Sequence, residues 1–74
     1  MSNEIRDQLN YIVACVSEFA DRHGLTLPDA YLYLRKHTGI QFLQDFYDVE
    51  HTLSFEEAVD DLTKVCARNG GALT

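Results

Sequence analysis

The sequence predicts an all-α fold, a compact four-helix domain with short loops, and three observations predict it. In the first stretch, apolar residues recur at alternating steps of four and three: Ile5, Leu9, Ile12, Val16 and Phe19. Two later stretches open on helix-capping residues, Thr26 ahead of Pro28 and Ser54 ahead of Glu57. The connections left between helical patterns are two to seven residues long, so sequential helices must pack on one another. A chain of 74 residues has room for one core and buries only about 60% of the surface its unfolded form exposes.

The first helix is expected over about residues 3–23. Val13 and Ala20 widen its apolar stripe, while Arg6, Asp7, Asn10, Ser17, Glu18 and Asp21 fall largely on the other side. Gly24 supplies a left-handed stop, and Leu25 can fold back onto the last turn. The second helix, about 27–37, has Thr26 as N-cap, Pro28 in the first turn and Asp29 at the positive end of the dipole. Leu27, Ala30, Tyr31 and Leu34 make its core face, with Leu32 and Tyr33 pointing elsewhere. Gly39 is read as its stop. A short third helix covers about 40–47 and docks by Phe42, Leu43 and Phe46. The fourth, about 55–69, opens on the Ser54–Glu57 capping box, with Leu53 and Ala58 at staple positions. Its apolar face is Phe55, Ala58, Val59, Leu62, Val65 and Cys66, and Asp60 and Lys64 are spaced to pair along it. Gly70-Gly71 ends it, and residues 71–74 are expected to fray.

Phe46 to Ser54 is the longest piece between helical patterns that follows no helical period, and Asp48 to Thr52 could continue the third helix as a distorted turn. It lies in a window, His37 to Thr63, without Lys or Arg. The net charge of −6 is uneven: five acids and four bases to His37, seven acids and two bases beyond it. An acidic half repels phosphate and attracts a basic protein surface, though crowded carboxylates also serve solubility alone.

Cys15 and Cys66 stand fifty-one positions apart among apolar neighbours, which suits core thiols better than a secreted disulfide framework. Met1-Ser-Asn-Glu-Ile-Arg carries no apolar signal core, and no run of about 18 apolar residues could span a membrane. A reduced cytoplasmic setting is the expectation. Zinc would need closely spaced Cys or His, and the acids of the joint lack the glycine and ligand count of a calcium loop. No metal, no cofactor and no catalytic residue is therefore assigned.

The segment Tyr47-Asp-Val-Glu-His-Thr52, with Ser54 shortly after, resembles the signature of a family of small bacterial proteins, domain of unknown function 3791. Tyr11-Ile12-Val13 with Phe19-Ala20, and the stretch from Leu25 to Gly39, resemble it too, so the resemblance spans nearly the whole chain. It implies an accessory gene beside toxin-like ADP-ribosyltransferase genes, and hence an antitoxin-like or immunity-like role. It brings no catalytic residues; Tyr47, Asp48, His51 and Thr52 transfer as motif positions without an assigned job.

Within the motif, His51 lies between Glu50 and Thr52, where a carboxylate could orient its ring. The favoured reading is a loop brace, ahead of a partner contact and, last, a catalytic group, because no nucleophile motif accompanies it. Arg35-Lys36-His37 is too small a phosphate footprint against −6 and is explained by helix-end electrostatics. The function expected is a non-enzymatic protein–protein interaction module whose partner has a basic surface. Tyr33, Asp48, Glu50, His51, Glu57 and Asp61 are the expected contacts. A homodimer would offset the limited core of so small a domain. The alternative is a small DNA-binding regulator.

Overall fold

The computed structural model describes residues 3–71, which form five helices with no strand among them. They are α1 (Asn3–His23), α2 (Leu27–Lys36), α3 (Gly39–Asp45), α4 (Tyr47–Glu50) and α5 (Phe55–Arg68). Four match the expected helices to within two residues, and α4 is a single extra turn cut from the joint. Beyond Gly71, the tail expected to fray lies outside the described residues.

Helix ends follow the capping chemistry of the sequence. Gly24, at φ +65°, ends α1 with the Leu25 N–H donating back to the Ala20 carbonyl at 2.9 Å, the six-residue closure of a Schellman turn. Gly70, at φ +87°, ends α5 the same way, the Gly71 N–H reaching the Cys66 carbonyl at 2.8 Å. At the other ends, Thr26 Oγ1 accepts the Asp29 N–H at 3.2 Å and Ser54 Oγ accepts the Glu57 N–H at 3.1 Å. The Ser54 hydroxyl also donates to Glu57 Oε1, so both members of the capping box are engaged.

Gly39 is not the stop of α2. Thr38 takes the left-handed position at φ 73°, a strained choice for a β-branched residue. Gly39 instead starts α3, buried so closely against α2 that a Cβ there would meet Leu34 Cδ2 at 2.7 Å. Between α3 and α4 the backbone opens at Phe46 (φ −113°, ψ 22°), yet the Phe46 carbonyl still accepts the Glu50 N–H at 2.8 Å. The break therefore turns the chain without orphaning that carbonyl.

α1 lies against both α2 and α5, and α3 closes the gap between those two. The core takes Ile12, Cys15, Val16, Phe19 and Ala20 from α1, Ala30 and Leu34 from α2, and Leu43 from α3. Ala58, Val59, Leu62 and Cys66 complete it from α5. Both cysteines are free, buried thiols, and burial pushes the Cys66 thiol up to about 11. The Cα radius of gyration is 11.5 Å, against roughly 11 Å expected for this length.

Several apolar residues assigned to the core do not enter it. Ile5, Leu9, Val13, Leu27, Tyr31, Phe46 and Phe55 are exposed, whereas Tyr33 stacks on Phe19 at 5.8 Å. Asp60, spaced to pair with Lys64, meets Arg22 of α1 instead, and Arg22 also donates to the Glu56 carbonyl at 3.1 Å. No described helix is long and apolar enough to cross a membrane.

Candidate functional site

The joint between α3 and α5 is built by the side chains of its own sequence. The Tyr47 ring is half-buried, and His51, one turn on, lies parallel to it with centroids 4.5 Å apart. His51 Nδ1 faces the Tyr47 carbonyl at 2.6 Å; a carbonyl only accepts, so Nδ1 carries the proton and Nε2 is left toward solvent. The loop-bracing geometry expected of His51 is present, but a backbone carbonyl orients the ring where a carboxylate was expected. The Thr52 hydroxyl donates to the Val49 carbonyl at 2.6 Å. Its N–H reaches the same oxygen at 3.1 Å, which closes the turn.

Tyr11 of α1 anchors this turn from outside. Its ring meets Tyr47 edge-on at 5.6 Å and stacks with Phe55 at 6.0 Å, so four aromatic rings run His51–Tyr47–Tyr11–Phe55. The Tyr11 hydroxyl donates to the Glu50 carbonyl at 2.9 Å, a bond across thirty-nine positions of sequence. Burial, followed by the adjacent Cys15 thiol, raises its phenol well above the ordinary tyrosine range. The Cys15 thiol is likewise raised by burial, although the Tyr11 hydroxyl beside it acts the other way.

Glu50 is the residue whose placement differs most from expectation. It was assigned to the contact surface, but only 4% of it is exposed, and its Oε1 is buried without a hydrogen-bond partner. Helical geometry explains this: Tyr47 and Glu50, three apart, share the inward side of α4, while Asp48 and Val49 turn to solvent. Burial first, then the neighbouring Asp61 carboxyl, then the negative charge of Glu57, push the Glu50 carboxyl up to about 7. The pair sits at the seam between α4 and α5.

Of the other expected contact residues, Asp48, His51 and Glu57 are exposed and Asp61 is half-buried. Tyr33 does not join them. Its ring packs on Phe19 and, at 4.6 Å, on His37, whose Nδ1 donates to the Asn69 carbonyl at 3.0 Å. Tyr33 thus knits the end of α2 to the end of α5, and a Cβ on Gly71 would fall 2.2 Å from its hydroxyl. Arg35 and Lys36 are exposed in the last turn of α2, where the helix dipole favours cations.

Sequence reading passed over Phe46, Val49 and Phe55 as surface residues. All three are exposed, beside Asp48, Glu56 and Glu57. An acid-rich hollow of about 370 Å³ adjoins Phe55 between α1 and α5, lined also by Glu18, Asp21, Arg22, Glu56 and Val59. Tyr11 entered the sequence reading only through the Tyr11-Ile12-Val13 resemblance and as a tyrosine suited to half-burial, and its bond to the turn was not foreseen. Among the described residues, no three His, Cys, Asp or Glu side chains converge as metal ligands would.

A family described as protein of unknown function, DUF3791, matches residues 10–69, a span that holds Tyr11, the motif and all of α5. The chain belongs to this family. No curated protein and no solved structure gives a significant match. In this DUF3791 member, the resembling segment is a folded turn in which Tyr47, Glu50, His51 and Thr52 hold shape. Asp48, Val49, His51 and Thr52 are the exposed residues of the motif, and of these Asp48 and Val49 are the two whose side chains do not brace the turn.

Proposed function

We propose that this DUF3791 protein is a non-enzymatic interaction module that binds another protein through the surface around α4 and the start of α5. One observation carries the reading: Phe46, Val49 and Phe55 are exposed on a stretch, 46–57, whose exposed charged residues Asp48, Glu56 and Glu57 are all acidic. Apolar side chains left in water beside a single sign of charge suit a partner that is apolar and basic. The acids accelerate encounter with a basic surface, and the apolar side chains hold the complex once water is expelled. Asp48, His51, Glu57 and Asp61 remain the polar contacts; Glu50 acts from beneath, by holding the turn in shape, while Tyr33 lies at the other end of α5 and is not among the contacts.

The family resemblance implies a toxin-like neighbour, so the reading extends to an antitoxin-like partner of such an enzyme. A cytoplasmic setting belongs to the same proposal, and two free, buried thiols suit a reducing compartment. The test is co-expression with the product of the adjacent gene. Co-purification is expected, weaker at moderate salt than at low salt. The double charge reversal Asp48→Lys with Glu57→Lys should reduce recovery about tenfold or more. Failure to recover the neighbour at either salt concentration overturns the proposal.

A further inference from the structure

α1 presents a second surface, on the side away from the joint. Residues two apart on a helix point roughly 200° apart, so Leu9 and Val13 face away from Tyr11 and the acidic turn. There α1, α2 and α3 enclose a groove of about 440 Å³. Its floor is Ile12, Val16 and Ile40; its lips are Leu9 and Val13 from α1 and Leu27 and Tyr31 from α2. The lip residues are 48%, 62%, 51% and 42% exposed, although the apolar stripe of the sequence placed all four toward a core. Among the described residues, no charged side chain lines the groove.

We infer that this groove is the contact between two copies of the chain, a two-fold homodimer formed by the α1–α2 lips. Three observations choose a second copy over another occupant. First, each chain carries a net charge of −6, and like-charged copies meet at least cost where a surface has no charge. A basic partner would find no carboxylate among the groove's lining residues to draw it there. Second, the surface is self-complementary: it offers both a concave floor and projecting apolar lips. A two-fold axis can therefore set the α1 lip of each copy into the groove of the other. Third, the four lip residues expose roughly 350 Å² of apolar surface, the size of the largest patch on a typical monomer and a little under half of the about 800 Å² per partner in a standard interface. Leu32, one turn beyond Pro28 and exposed, extends the strip along α2 and brings the total closer. The acidic turn stays outside the contact in both copies, so the dimer would present it twice.

Sedimentation equilibrium across micromolar to millimolar concentration tests this. The expected mass is twice 8.4 kDa, with dissociation weakening as salt screens the repulsion between copies. Val13→Glu alters an exposed position, so helicity and melting should hold while dimerisation weakens about a hundredfold. Should that variant lose helicity, Tyr31→Lys on the opposite lip carries the same readout. Asp48→Asn, on the far side, should leave the dimer intact. A wild-type chain that is monomeric at every concentration overturns the inference, and so does a dimer that survives both groove substitutions.

Discussion

Between about pH 4.5 and 7, Glu50 holds a proton in the folded chain that the unfolded chain has already released. The native state therefore binds more protons across that window, and stability contributed by Glu50 is full below it, falls as pH rises through it, and levels off above. Asp61 and Glu57 sharpen the effect, because an ionised Glu50 would be a third negative charge in a poorly hydrated seam. Glu50→Gln keeps the shape without the charge. It is expected to stabilise the fold by about 2–3 kcal/mol at pH near 8 and to be nearly neutral near pH 4. Thermal melts of both proteins at the two pH values check this; a variant no more stable at the higher pH refutes the burial of an ionisable carboxyl. Tyr11→Phe separates the other half of the seam. It keeps the ring stack but removes the bond to the Glu50 carbonyl, and should cost about 1 kcal/mol in denaturant unfolding.

Among the elements, the α2–α3 connection carries the most local strain. Thr38 occupies a left-handed conformation that favours glycine, while the adjacent Gly39 is needed for its missing side chain and not for its backbone. The two substitutions therefore act in opposite directions. Thr38→Gly should stabilise by about 1 kcal/mol by releasing strain, whereas Gly39→Ala should destabilise by about 1–3 kcal/mol by driving a methyl into Leu34. Urea midpoints of the two variants moving the same way would contradict this division of labour. At the start of α5, Ser54→Ala removes both the N-cap acceptor and the donor to Glu57, for an expected loss of about 1 kcal/mol.

For the molecule as a whole, α1 lies along a body of 35 × 21 × 21 Å and packs on α2 and α5, so the core runs along one face of that helix. Leu62→Ala opens a cavity where α5 faces that core and should cost about 2–4 kcal/mol, read as a lower urea midpoint with an unchanged slope. That loss is large beside the stability available to a chain of this size. The four long helices, the caps at Gly24, Thr26, Ser54 and Gly70, and the core residues Ile12, Val16, Phe19, Leu43, Ala58, Val59 and Leu62 were legible in advance, because period and capping are properties of neighbours in the chain; the extra turn α4 and the Thr38 stop of α2 were not. The inward turn of Glu50, the surface position of Leu9, Val13, Leu27 and Phe55, and the role of Tyr11 were not. A helical stripe says which residues share a side, but only the placement of the other helices says how much of that side is covered. Amphipathic order and caps alone determined an all-α chain with an acidic second half. The angle at Phe46 and the docking of α1 against α5 decided which acid is buried, which aromatics stay wet, and where a groove remains open.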